Sequence, residues 1–397
     1  MGSTDAALAY LSNSVMEEAY PKPILTLAIP TYNRPDKLKD LLDSILSQYQ
    51  YQLSIEIVIS DNSPGVETEN LVAEYIKILP ITYIHQPINI GAAGNYLFTV
   101  EAAQGSYCWI LGDDDLIIDG SIAKLLSIIE AHPTLPAIVC GYSNISENER
   151  QLFRNKSYDA ETIQRASVFE DTTICGIIDR WENTFFLSTV PGLHFSILSC
   201  VFERNLWLQN SSIVAKTLAS NQKTNADDFE ALYSTFPHTT IWGKMLIGQP
   251  VFVISKPMAC LFYGEQEWIS KLPVVTYTHG LSLVNFYRSH GANKRAISHF
   301  KNIILGHNLL HSLLTSRNPY DRKKFSILNL LCENLGSRVL WKNLFSYFNS
   351  NQIPWKSKLL TFSSILSPVH LIRLALAPWK LVRSRLQPDT PLPPGPL

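Results

Sequence analysis

Short apolar runs rich in β-branched residues alternate with amphipathic stretches along the first third of the chain. "ILTLAIP" (24–30), "IEIVIS" (55–60), "ITYIHQ" (81–86) and "SYCWILG" (106–112) have the length and composition of buried strands. Between the first two, "PDKLKDLLDSILSQ" puts Leu38, Leu41, Leu42 and Ile45 on one helical face, and Asp36 follows Pro35 where an acid complements the helix dipole. A β-α-β-α-β-α-β alternation predicts an α/β fold, a doubly wound, mostly parallel sheet with helices on both faces. Further on, 136–144, 195–204 and 251–263 read as strands and 226–236 and 238–248 as helices, whereas 145–190 looks polar and irregular. Beyond Tyr277 the pattern is helical.

Ligands of such sheets bind beyond the carboxyl ends of the strands. Four segments lie there: Pro30, Thr31, Tyr32 and Asn33; Asp61, Asn62 and Ser63; Asn89, Ile90 and Gly91; and Asp113, Asp114 and Asp115. Their loops should meet on one rim. The three consecutive aspartates close a buried strand, and adjacent carboxylates repel one another unless a cation sits among them. Hard divalent ions take oxygen ligands, and Mg²⁺ is usually held by one or two carboxylates with phosphate and water completing the shell. Asp113 and Asp115 are therefore the expected ligands of Mg²⁺ or Mn²⁺, which would neutralise charge on a diphosphate leaving group.

Composition narrows the class without naming the chemistry. At 397 residues, 46% hydrophobic and 17% charged, the chain can bury a large core and has room for a catalytic domain plus an appendage. The formal net charge of -1 hides a basic segment, with eight Lys or Arg and no Asp or Glu between Leu335 and Pro388. Interleaved with Trp341, Trp355 and Trp379, it suits the surface of an anionic bilayer better than nucleic acid. Six cysteines without a CxxC pair read as reduced thiols. The start lacks a signal-peptide pattern and no apolar run is long enough to span a bilayer, so a cytoplasmic protein is expected, placed at the inner face of the membrane if the basic segment binds there.

Taken together, "IPTYNRPDKLKDLLDSI", "IVISDNS" and "NIGAAGNYLFTVEAAQGSYCWILGDDD" resemble family 2 glycosyltransferases of the GT-A type, over about residues 24–130. Within that family "SDNS", the N-x-G-x-x-x-N loop and "GDDD" are most similar to abequosyltransferase-like enzymes of bacterial surface polysaccharide synthesis. The resemblance implies a GT-A catalytic domain (23–277, its nucleotide-sugar half 23–130 and acceptor half 131–277), which leaves an N-terminal extension (1–22), a basic region of helical pattern (278–387) and a Pro-rich tail (388–397) expected to be disordered. It implies a nucleotide-sugar donor with Pro30, Thr31, Tyr32 and Asn33 near the nucleotide, Asp61 on the base, Asn89, Gly91 and Asn95 around ribose or diphosphate, and Asp113, Asp114 and Asp115 at metal and sugar.

The implied activity is metal-assisted transfer of one sugar to a hydroxyl of a glycan, lipid-linked if the basic segment meets a membrane. Many members carry a Glu-Asp pair before a late helix, where one carboxylate deprotonates the acceptor. At the comparable place, "STFPHTTIWGKM", this chain has His238, and an imidazole is a competent base near neutral pH. Asp228 and Glu265 are rival bases, and Trp242 and Trp268 are candidates to stack on a sugar. Two other readings remain at this stage: a sugar-phosphate nucleotidyltransferase, which would release pyrophosphate, and a non-catalytic glycan- or nucleotide-binding subunit.

Overall fold

The computed structural model describes residues 22–50, 53–155, 158–188, 190–221, 231–264, 271–306, 330–331, 333–334 and 336–349. Asp228, Glu265, Trp268, Trp355 and Trp379 lie outside them, as do the expected N-terminal extension up to residue 21 and the tail.

The first four apolar runs form parallel strands: β1 (Leu25–Thr31), β2 (Ile55–Asp61), β3 (Ile81–His85) and β4 (Tyr107–Ile110), in the order β3-β2-β1-β4. Crossovers through α1 (Pro35–Leu46), α2 (Glu67–Tyr75) and α3 (Gly91–Ala102) keep the four strands parallel, so all four carboxyl ends lie at one edge. Helix α1 starts at Pro35, whose missing N–H is no loss in a first turn, and buries the four predicted residues Leu38, Leu41, Leu42 and Ile45. Each buried aliphatic side chain contributes about 1.5–3 kcal/mol. Every residue of β1 is buried, as a central strand covered on both faces requires.

The sheet continues through β5 (Leu116–Ile117), α4 (Ser121–Ala131) and β6 (Ala137–Ser146). The stretch read as irregular contains α5 (Arg150–Arg154), α6 (Ala160–Arg165) and β7 (Cys175–Ile178). After β8 (Cys200–Glu203) come α7 (Arg204–Asn221), α8 (Leu232–Thr235), α9 (Pro237–Leu246) and β9 (Val251–Tyr263). The nine-stranded sheet runs β3-β2-β1-β4-β8-β6-β9-β5, with β7 paired to β9. β8 runs antiparallel to β4 and β6, and β9 antiparallel to β5 and β7, so the parallel half carries the ligand edge and the mixed half extends it.

The chain then forms α10 (Gly280–Ser289), α11 (Lys294–Gly306) and α12 (Arg338–Asn349). It divides into two compact units, residues 1–269 with 282–300, and 270–281 with 301–397. Instead of a single break after 277, the segment 282–300 returns to the first unit. Among the described residues no helix is long and apolar enough to cross a membrane. Cys108, Cys140, Cys200 and Cys260 are free and buried, and Cys175 is free and exposed.

Candidate active site

The rim at the ends of β1, β2 and β4 is built by hydrogen bonds between loops far apart in sequence. Thr31 Oγ1, the last hydroxyl of β1, donates to Asp113 Oδ2 at 2.7 Å. Asn95, in α3, is buried and donates its Nδ2 to Ser60 O at 3.0 Å and Thr31 O at 3.4 Å, stapling the ends of β1 and β2. Asp61 is fully buried: its Oδ1 accepts from the Ser63 amide and its Oδ2 from the Tyr83 hydroxyl, both at 2.8 Å. Ser63 Oγ in turn accepts the Asn33 amide at 2.7 Å. Asn89 Oδ1 accepts the Gly91 amide at 2.8 Å, and Gly91 opens α3 at φ 76°, a region open to glycine at no steric cost.

Of the residues expected near a nucleotide, Tyr32, Asn33 and Asn89 are exposed and Gly91 is half-buried. Pro30, Thr31, Asp61, Asn95 and Asp113 are buried beneath them. The rim therefore has an accessible layer resting on a hydrogen-bonded one.

The acidic turn has a distinct geometry. The Gly112 amide donates to Asp115 Oδ2 at 2.8 Å, and a Cβ on Gly112 would lie 2.6 Å from that oxygen. Asp113 and Asp115 are both buried, at 0% and 3% exposure, whereas the Asp114 side chain is partly exposed. Burial pushes the Asp113 carboxyl up to about 6 against the opposing pull of Arg34. Burial, and then the charge of Asp114, push Asp115 well above the usual carboxylate range. Two buried carboxyls that resist ionising are a pair in need of a cation.

The cations beside the acidic turn are arginines, which sequence reading had not singled out. Arg34, just before α1, places Nη2 2.6 Å from Asp113 Oδ1 and Nη1 2.9 Å from Asp114 Oδ2. Arg150, at the start of α5 and 4% exposed at its side chain, donates Nη2 to the Asp114 carbonyl at 2.6 Å and pairs with Asp40 and Glu147. Lys37 also pairs with Glu147, and Arg154 with Asp40. Arg150 thereby links the acidic turn to a cleft of about 510 Å³ between α1 and β5, lined among others by Asp36, Asp40, Leu116, Phe153 and Tyr158.

Among the described residues, no three His, Cys, Asp or Glu side chains converge to hold a metal ion. Asp113 and Asp115 offer two carboxylates at most, which suits a hard divalent ion whose shell phosphate and water complete.

His238 lies in the first turn of α9, but it does not open onto solvent. It is 3% exposed, its Nε2 sits 2.9 Å from Phe195 O, and its Nδ1 is enclosed without a hydrogen-bond partner. Edge contacts with Trp242, Tyr96 and Phe236 surround the ring, and burial pushes the imidazole down to about 4. Trp242 is 1% exposed and offers no face for sugar stacking. Both side chains are packing residues, which the local sequence did not reveal.

Residues 26–198 match the family model described as glycosyl transferase family 2. The chain is 26% identical over 294 residues to abequosyltransferase RfbV of Salmonella typhimurium, covering 71% of this chain and 80% of that protein. It is 30% identical over 135 residues to an uncharacterized glycosyltransferase, MG025 of Mycoplasma genitalium, covering 34% of this chain and 44% of that one. TarS 1–349 of S. aureus shares the fold, with a TM-score of 0.52 at 13% identity and coverage of 91% of this chain and 88% of TarS. The match spans the strands and loops that build the rim, so residues 26–198 are similar to a family 2 glycosyl transferase domain.

Proposed function

We propose that the protein transfers one sugar from a nucleotide-sugar donor to a hydroxyl of a surface-polysaccharide precursor, with a divalent metal at Asp113 and Asp115. The observation that carries this reading is the buried pair Asp113 and Asp115 at the carboxyl edge of the parallel strands, beneath the exposed Tyr32, Asn33 and Asn89. The relatedness to abequosyltransferase RfbV favours sugar transfer in polysaccharide synthesis over nucleotidyl transfer.

In this account Tyr32 packs against the nucleotide, Asn33 and Asn89 meet its polar edge, and the α3 N-terminus faces the diphosphate, where helix amides stabilise negative charge. Asp61 and Asn95 keep those groups in place through the bonds to Ser63, Tyr83, Ser60 and Thr31. A bound Mg²⁺ or Mn²⁺ would supply Lewis-acid neutralisation of the leaving nucleoside diphosphate. The enclosure of His238 leaves Asp228 and Glu265 as the carboxylates to test for acceptor deprotonation.

A peripheral membrane contact belongs to the same reading. Helix α12 buries Leu340, Leu344 and Tyr347 and exposes Trp341 and Phe345 beside Arg338 and Lys342, a face suited to an anionic interface that holds a lipid-linked acceptor.

The test is product analysis. Purified protein, Mn²⁺ and a panel of nucleotide sugars are incubated with bacterial lipid-linked saccharides and followed by mass spectrometry. Release of a nucleoside diphosphate with a one-sugar gain in acceptor mass is expected. Release of pyrophosphate, or donor binding without turnover, would contradict the proposal.

A further inference from the structure

The contact between Arg34 and the acidic turn carries a consequence for how metal and donor bind. Asp113 has two oxygens and one is already committed, since Oδ2 holds the Thr31 hydroxyl at 2.7 Å. Its Oδ1 is buried and forms an ion pair with Arg34 Nη2 at 2.6 Å. A divalent ion ligated by Asp113 needs that same oxygen, at about 2.1 Å for Mg²⁺. Two cations on one carboxylate oxygen repel each other, so guanidinium and metal compete.

Arg34 is the accessible member of the pair, and its second contact, Nη1 to Asp114 Oδ2 at 2.9 Å, is with the partly exposed residue of the turn. Its side chain is 43% exposed while Asp113 is fully buried, so the arginine can turn to solvent and the aspartate cannot. It follows Asn33, whose φ of 55° puts a non-glycine residue in the left-handed region, and precedes Pro35 at the start of α1. Tyr32, Asn33 and Arg34 form the exposed part of the β1–α1 loop, on the rim where the donor is proposed to sit. A guanidinium released there meets the group it recognises best after a carboxylate, a phosphate, which it can grip with two parallel N–H donors.

Resting on the metal-assisted reading above, we infer that Arg34 is the resident counter-ion of the acidic turn in the donor-free protein and passes from Asp113 to the donor's diphosphate when a divalent ion takes its place. Arg34 thus makes metal and donor binding interdependent: it opposes metal alone and supports nucleotide once metal is bound. Linkage requires the same coupling factor in both directions. Arg34 is a positioning residue that changes partner between the two states.

The experiment compares wild type, Arg34→Met, Arg34→Gln and Asp115→Ala, each checked for an intact fold by circular dichroism. Mn²⁺ binding to the nucleotide-free protein is measured from the free-ion signal in electron paramagnetic resonance. Binding of UDP, GDP, CDP and dTDP is measured by calorimetry at saturating Mn²⁺. Both Arg34 variants should bind Mn²⁺ alone about tenfold more tightly, and the preferred nucleotide about tenfold more weakly, the size of one charge contact near a protein surface. An ordinary structural ion pair predicts that its loss weakens metal binding or leaves it unchanged, and either result in both variants overturns the inference. The metal reading fails separately if wild type binds no Mn²⁺, or if Asp115→Ala binds it as wild type does, and the inference falls with it.

Discussion

Replacing Asp113 with Asn should stabilise the ligand-free protein at neutral pH while removing its response to metal. The carboxyl is fully buried, and its pKa is pushed up to about 6 by burial, with Arg34 and the Thr31 bond pulling the other way. Between the ordinary value near 4 and this value the folded state holds a proton that the unfolded state has released. Stability is therefore lost as pH rises through that window, and is fully lost above about 6. Two pH units correspond to about 3 kcal/mol. The asparagine variant pays no such cost and still offers Thr31 an acceptor oxygen. At about 2 °C per kcal/mol for a chain of this size, its melting temperature should exceed that of wild type by roughly 5 °C at pH 8, with the gap closing toward pH 4. The assay is a series of thermal melts of both proteins across that range, without metal or nucleotide. A gap that stays constant with pH, or a variant less stable at pH 8 than at pH 4 relative to wild type, would mean that burial of the Asp113 charge carries no such cost.

Three other substitutions probe separate parts of the account. Gly112→Ala puts a Cβ 2.6 Å from Asp115 Oδ2, so the carboxylate must turn away; the melting temperature should hardly change while metal-dependent nucleotide binding is lost in calorimetry. Arg150→Met leaves Asp40, Glu147 and the Asp114 carbonyl without their buried partner and should cost about 3–5 kcal/mol in denaturant unfolding. His238→Gln should lower stability by about 1–3 kcal/mol without moving the acid limb of the kcat/KM profile, because a buried ring with a pKa near 4 is already neutral over the working range. The same depressed value means that wild type loses stability as pH falls from about 6.5 toward 4, where the unfolded histidine takes up a proton and the folded one does not. The glutamine variant should lose less in urea titrations over that window.

The centre of the parallel half was legible because β1 and β4 are buried at every residue. Such strands appear as unbroken apolar runs ending in Pro, Asp or Gly, as in "ILTLAIP" and "SYCWILG". The four loops followed from topology alone. Less was readable in the mixed half: β5 is two residues long, β7 shows an alternating pattern of exposure, and α7 starts directly after β8 without a breaker between them.

The acidic turn was legible as chemistry, but its partners were not. Arg34 is separated from Asp114 by 80 residues and Arg150 from Asp40 by 110, and an ion pair across such distances leaves no periodic signal. A clue was present in "YNRPD", where an arginine next to a strand-end loop could have been matched to the carboxylates expected on the same rim. His238 shows the opposite case. A histidine in the first turn of a helix has the right residue type for a base, yet burial among Trp242, Phe236 and Tyr96 is set by tertiary packing.

The central claim is a donor site that depends on metal at the acidic turn. Its most direct test is a thermal-shift panel of UDP, GDP, CDP and dTDP, with and without Mn²⁺, on wild type and Asp115→Ala. Binding at 100-fold over Kd raises stability by about 2.7 kcal/mol, enough to displace a melting curve. One nucleoside diphosphate is expected to stabilise wild type only with Mn²⁺ and to leave Asp115→Ala unmoved. A shift that does not need metal, a variant that responds like wild type, or no shift with any of the four would contradict it.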